Sequence, residues 1–116
     1  MYIIESKMDI IKENSPDLQK MVMSVVNQRQ NQNSRQTYYT ALTKFFDWYV
    51  AGDNEGINAD VIREYLLYLE NRGKSRATIS TSLSVLRQLF KDLRRLGVID
   101  EKIYNDLLEI KFKRPL

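Results

Sequence analysis

The sequence contains no cysteine and no histidine. These absences exclude disulfide bonds, metal sites built from thiolate or imidazole ligands, and mechanisms that need histidine as a base or cysteine as a nucleophile. No other pattern indicates a cofactor or a metal, and we expect neither. The lack of cysteine also agrees with a cytoplasmic location, where disulfides are rare.

Long hydrophobic runs are absent as well. No apolar stretch approaches the roughly 20 residues that a membrane-spanning helix needs. The first 14 residues include acids and lack a cleavage site of small residues, so they do not form a signal peptide. We therefore expect no membrane contact. The 116 residues suffice for one domain with a core of its own.

Helical periodicity dominates what is present, because the sequence shows no strand-like alternation and no internal repeat. We predict an all-α fold, a compact bundle of four to five helices. A short helix should start at Pro16, and longer ones should cover 34–51, 59–72, 76–96 and 101–110. The predicted N-caps of the last three are Asn58, Ser75 and Asp100, and glycines follow two of the helices at Gly73 and Gly97.

Apolar residues at steps of three and four define the predicted inward faces. Aromatic rings on helix 34–51 should form the centre of the core, with Trp48 among them. The inward residues are Tyr38, Ala41, Leu42, Phe45, Trp48 and Tyr49, then Val61, Ile62, Tyr65, Leu66 and Leu69, then Ile79, Leu83, Leu86, Phe90 and Leu93, and finally Ile103, Leu107, Leu108 and Ile110.

The long helix that begins after Ser75 has an unusual composition. No acid occurs from Lys74 through Lys91, although the partial positive charge of a helix start normally favours acids. The first turn instead carries Lys74 and Arg76, and several hydroxyl side chains follow. A basic, hydroxyl-rich and acid-free helix start is typical of a place where phosphate binds.

Charge is unevenly distributed along the chain. Residues 74–95 hold six basic residues and one acid, a net charge of +5, whereas residues 51–73 hold two basic residues and five acids, a net charge of −3. The pattern predicts one basic surface, and helix 59–72 should point away from any nucleic acid. An ordinary solvated charged face would have the same composition.

Residues 1–33 form a predicted N-terminal extension. Its short helix has Leu18, Met21, Val22, Val25 and Val26 on one side and ends in a polar tract, 27–34, that indicates a linker. The extension would be either an arm that touches a partner or DNA, or an added helix on the outside of the bundle.

An ordered set of motifs runs through the rest of the chain. Ser34-x-x-Thr37-Tyr38 leads into Leu42, Phe45 and Trp48; Val61-x-x-x-Tyr65-Leu66 and Leu69 follow; then come Gly73-x-Ser75-x-x-Thr78, Leu83-x-x-Leu86-Arg87-x-x-Phe90 and Gly97-Val98-Ile99. This set resembles the N-terminal core-binding domain, a SAM-like helical bundle, of tyrosine recombinases and phage integrases.

The resemblance implies a domain, residues 34–111, that grips one side of double-stranded DNA during integration or recombination. Its first and third helices would lie across the major groove. The implied DNA contacts are Arg35, Thr40, Thr43, Lys44, Lys74, Ser75, Arg76, Thr78, Thr81 and Arg87. Arg87 fits a position typical of the family, and it fits equally well a structural residue that pairs with the acidic helix.

The catalytic residues of that family are an Arg, a Lys, a His-x-x-Arg pair and a nucleophilic Tyr, and none can be placed in this chain. We therefore expect no DNA cleavage by the chain itself. The chain would be either an excised domain of a longer recombinase, with residues 112–116 at the start of a linker to the absent catalytic domain, or a natural stand-alone relative. Other recombinase subunits would be partners of the full-length protein. The resemblance places it in a bacterial, archaeal or phage-derived cytoplasmic setting. A SAM-like module for protein interaction, with an exposed patch of Ile3, Ile4, Met21 and Val25, is the alternative.

Overall fold

The computed structural model describes residues 16–52, Asn54 and residues 56–112. Within these residues the chain forms five helices and no strand, which confirms the predicted all-α class. The helices are α1 (Pro16–Val26), α2 (Gln32–Ala51), α3 (Ala59–Asn71), α4 (Arg76–Arg95) and α5 (Glu101–Leu108). None of them is long and apolar enough to cross a membrane. The chain divides into two compact units, Met1–Gly56 and Ile57–Leu116.

In the first unit, α1 packs against α2. Phe45 is fully buried, and its ring lies 5.1 Å from that of Phe46 and 5.9 Å from that of Tyr49, measured between centroids. Phe46 was not among the predicted core residues. Trp48, predicted as core, is only half-buried; the buried side of α2 is formed instead by Leu42, Phe45, Phe46 and Tyr49. The buried residues of this unit are Val22, Val25, Val26, Leu42, Phe45, Phe46 and Tyr49.

The start of α2 lies two residues earlier than predicted. Asn31 is its N-cap, and the side-chain oxygen accepts hydrogen bonds from Asn33 N at 2.8 Å and Ser34 N at 3.3 Å. The polar tract predicted as a linker therefore supplies the cap and the first turn of the helix. Asparagine is among the best capping residues. Asn31 was therefore a local signal for a helix start, but the polar residues around it made the tract resemble a linker.

The second unit is a three-helix arrangement in which α4 contacts α3 and α5, and α3 contacts α5. All five predicted inward residues of α4 are buried, and so are Val85, Leu89 and Asp92. The predicted caps are confirmed: Asn58, Ser75 and Asp100 each accept a hydrogen bond from the backbone N–H three residues ahead.

The end of α5 differs from the prediction. The helix stops at Leu108, and Ile110 is buried from the segment beyond it. Leu108, predicted to face inward, is 40% exposed, and Tyr104 is buried in its place. Tyr104 and Leu107 are three residues apart on one face, so the helix is rotated relative to the Ile103–Leu107–Leu108 stripe that hydrophobicity alone suggested.

Candidate nucleic-acid interface

The turn between α3 and α4 holds Lys74 in a defined position. Gly73 adopts φ +75°, a left-handed conformation that glycine tolerates best. Its N–H donates to Glu70 O at 3.0 Å, and the N–H of Lys74 donates to Leu69 O at 3.1 Å. These two bonds form the Schellman motif that ends a helix with glycine. The motif fixes the backbone of Lys74, whose side chain is exposed.

Ser75 and Thr78 organise the first turn of α4. The Ser75 hydroxyl oxygen accepts a hydrogen bond from Thr78 N at 3.1 Å, and Ser75 Oγ donates to Thr78 Oγ1 at 3.0 Å. In this arrangement the hydroxyl of Ser75 serves the helix cap. The hydroxyl of Thr78 receives a bond and keeps its own hydrogen as a donor. Both side chains are exposed.

The first nine residues of α4 are far more exposed than the rest of the helix. Among them only Ile79 and Leu83 are buried, and Ser82 is half-buried. At 100° per residue, Arg76 and Ser80 lie on one side of this segment and Thr78 and Thr81 on another. The helix start therefore presents its basic side chain and its hydroxyls to solvent over most of its circumference.

Ion pairs distinguish the two ends of α4. At the C-terminal end, Arg94 lies 3.1 Å from Glu101 and Arg95 lies 3.2 Å from the buried carboxylate of Asp92. At the N-terminal end, no carboxylate among the described residues lies within 4.0 Å of Lys74 or Arg76. Two positive charges without a carboxylate partner thus lie where the helix dipole is also positive.

The Arg76 side chain has an aromatic neighbour instead of a carboxylate. Its guanidinium lies 6.0 Å from the centre of the Phe112 ring, at the outer limit of a cation–π contact. The chain that follows α5 therefore approaches the start of α4, although the two are separated in sequence. This contact leaves the charge of Arg76 available, because an aromatic ring does not neutralise it.

Arg87 is placed differently from the other predicted contact residues. It is half-buried, and its NH2 group donates to the carbonyl oxygen of Ile110 at 2.9 Å. This bond ties α4 to the segment that follows α5 and supports the structural alternative. The acceptor is a main-chain carbonyl, however, and not a carboxylate of the acidic helix.

Four predicted contact residues lie on α2, in the first unit. Thr40 and Lys44 are exposed, whereas Thr43 and Arg35 are half-buried. Thr40 accepts a hydrogen bond from Gln36 at 3.2 Å, and Arg35 Nε donates to the carbonyl oxygen of Arg29 at 2.7 Å. Arg29 was not predicted as a contact residue, because it lies in the polar tract and its neighbour Tyr38 is nine residues away.

The described residues show neither a metal site nor the patch expected of a protein-interaction module. Among the residues that the structure describes, no cluster of acids suits a metal ion. The exposed patch expected of a protein-interaction module is not formed by its two described members, since Val25 is 1% exposed and Met21 is half-buried. Ile3 and Ile4 lie outside the described residues.

Comparison with known proteins identifies the family. The model of the phage integrase N-terminal SAM-like domain, a non-catalytic domain, matches residues 18–97, which is more than half of the chain. The match begins within α1 and extends through α4 to Gly97, so it includes the predicted contact residues on α2 and those at the start of α4. No curated protein and no solved structure matches the chain. By the extent of the family match, the chain belongs to the phage integrase N-terminal SAM-like domain family.

Proposed function

We propose that this chain is the DNA-binding, core-binding domain of a tyrosine site-specific recombinase, and that it grips duplex DNA for integration or recombination. The observation that carries the proposal is the exposed start of α4, where Lys74 and Arg76 have no carboxylate partner among the described residues. Family membership supplies the class of partner. The core-binding region would comprise residues 34–111.

Phosphate oxygens are the expected ligands of this surface. Lys74 and Arg76 provide charge, and Arg can donate two parallel hydrogen bonds to one phosphate. Thr78 and Thr81 add neutral donors, and Ser75 stabilises the first turn of the helix as its N-cap. Since phosphate contacts carry no base information, this surface contributes mainly affinity and register, and base readout is modest.

The surface on α2 would add contacts of the same kind. Lys44 supplies an exposed charge, and Thr40 and Thr43 supply hydroxyls. Asp47 is the one acid within α2. We propose that this surface contacts phosphates more weakly than the start of α4, because Lys44 is its single exposed cation.

Cleavage and rejoining of DNA would belong to a catalytic domain elsewhere in the parent recombinase, and not to this domain. The domain contains no histidine, which the family's catalytic set requires. Its role is then to hold the duplex while other subunits and domains perform the chemistry. A duplex DNA partner also implies action in the cytoplasm.

Binding to a labelled random duplex, measured between about 50 and 200 mM salt, tests the proposal. Each phosphate contact should contribute a slope of about −0.9 to the plot of log K against log salt. We expect a total slope equivalent to three or more contacts. Absence of binding at the lowest salt would overturn the proposal and favour a protein-interaction module.

Charge reversal locates the surface. Lys74→Glu and Arg76→Glu should each weaken binding strongly and leave the helix content unchanged. Arg63→Glu is the matched control, because Arg63 is exposed but lies on the acidic helix α3 beside Asp60. Glu64→Gln and Glu70→Gln should leave binding equal or slightly tighter. Loss of binding in these α3 variants would show that the wrong face had been assigned.

A further inference from the structure

Arg29, in the connection between α1 and α2, has an incomplete set of hydrogen bonds. Its NH1 group donates to the Tyr38 hydroxyl at 3.3 Å, and its guanidinium lies 5.0 Å from the centre of the Tyr38 ring. Its Nε is buried and has no acceptor among the described residues. A buried donor of this kind requires an explanation, and a bound anion is one that fits a guanidinium.

Arg35, on α2, is hydrogen-bonded to the backbone of the residue that carries this unsatisfied donor. Its Nε donates to the carbonyl oxygen of Arg29 at 2.7 Å, so the side chain lies against the Arg29 backbone. Arg35 and Tyr38 are three residues apart on α2 and share a face of that helix. The Tyr38 side chain thus positions the guanidinium of Arg29, and the main-chain carbonyl of Arg29 accepts the hydrogen bond from Arg35.

The positive charges of Arg29 and Arg35 have no carboxylate partner in the described part of the chain. No carboxylate there lies within 4.0 Å of either arginine. Both side chains are half-buried, so solvent screens their positive charge less than it would at a fully exposed site. An anion that binds the remaining terminal nitrogens of these partly exposed guanidiniums would supply the missing negative charge.

We propose that Arg29 and Arg35, held by Tyr38, form a phosphate-binding site for one backbone phosphate of the DNA. The proposal rests on the proposed function and adds a contact made by the first unit that does not depend on α4. Arg29 binds the phosphate directly, Arg35 shares it, and Tyr38 is a positioning residue. The site gives affinity without sequence preference, because a phosphate is the same at every step of the duplex.

Substitution of Arg29, with binding measured as a function of salt, tests the site. Arg29→Gln should reduce the salt slope by about 0.9, and at about 0.1 M salt it should lower affinity about eightfold, uniformly across duplex sequences. Arg29→Lys should keep most of the slope and lose part of the affinity, because the charge remains and the planar fork is lost. Tyr38→Phe should weaken binding less than Arg29→Gln.

Controls separate this inference from the proposed function. Lys20→Gln removes an exposed charge from α1 and should leave both slope and affinity unchanged. If the wild-type domain binds and Arg76→Glu weakens it, but Arg29→Gln and Arg35→Gln change only the thermal midpoint, the pair is a structural link and the inference is wrong. If the wild-type domain binds no duplex, the proposed function and the inference fail together. Arg29→Lys and circular dichroism show whether a loss reflects unfolding.

Discussion

The guanidinium of Arg87 donates to the carbonyl oxygen of Ile110 at 2.9 Å, across 23 positions of the sequence. The bond joins the middle of α4 to the segment that follows α5. Since Ile110 itself is buried, the bond holds an apolar side chain in place as well as a backbone group. Arg87 thus stabilises the second unit before any DNA is present.

We predict that Arg87→Ala destabilises the domain by about 1.5–3 kcal/mol, the usual contribution of a hydrogen bond to a charged group. Urea denaturation measures the change. Lys91→Ala is the control, because Lys91 is exposed one turn further along α4 and should change stability by less than about 0.5 kcal/mol. Unchanged stability together with strongly weakened DNA binding would instead assign Arg87 to the interface.

Phe45 and Trp48 should differ sharply in their contributions to stability. Phe45 is fully buried against three other aromatic rings, so Phe45→Ala should cost about 3–5 kcal/mol. Trp48 is half-buried, so Trp48→Ala should cost clearly less despite the larger ring. Denaturation of both variants under the same conditions gives the comparison. An equal or larger loss for Trp48→Ala would mean that the indole lies in the core.

Ser75→Asp should separate the stability of α4 from DNA binding. Aspartate caps a helix as well as serine does, and its charge interacts favourably with the helix start by about 0.3–1 kcal/mol. The variant should therefore be as stable as the wild type, yet bind duplex DNA more weakly, because a negative charge stands where phosphate is expected.

The matched control for Ser75→Asp is Asn58→Asp, which places the same group at the N-cap of the acidic helix α3. It should preserve both stability and DNA binding. Unchanged DNA affinity in Ser75→Asp would remove the start of α4 from the interface. Melting curves and salt-dependent binding are the two measurements.

The stability of the fold should fall at alkaline pH because the buried hydroxyl of Tyr65 ionises less readily in the folded than in the unfolded chain. Burial, and to a lesser degree the charge of Tyr68, raises the pKa of Tyr65 from 10.0 to about 12. The unfolded chain therefore loses this proton first, and the stabilisation that is present below pH 10 is lost as pH rises towards 12. Tyr65→Phe should show a shallower fall over this range in urea denaturation, whereas Tyr39→Phe, at a 39% exposed site, should behave like the wild type.

Local chemistry explains the features that were predictable from the sequence. Asn58, Ser75 and Asp100 cap helices because a short polar side chain reaches the backbone N–H three residues ahead, and this needs no distant partner. The inward-facing residues of α4 were equally predictable, because its apolar residues repeat with the helical period. The Asn31 cap has the same local chemistry, but the surrounding polar residues concealed it.

The features that the sequence did not reveal depend on residues far apart in the chain. Leu108 is exposed and Tyr104 is buried because the packing of α5 on α3 and α4 sets which side of a short helix faces inward. Similarly, the contacts of Arg87 and Arg29 join positions 23 and nine residues apart. Helical periodicity carries no information about such pairs.

The sequence alone determined the helical class, the caps and the concentration of basic residues in 74–95, since periodicity, capping and net charge are properties of short segments. Tertiary structure decided which of those basic residues lack a carboxylate partner. Arg94 and Arg95 are neutralised by Glu101 and Asp92, whereas Lys74 and Arg76 are not neutralised by any described residue. The reason is physical: an ion pair depends on distances of a few ångströms, and packing sets those distances.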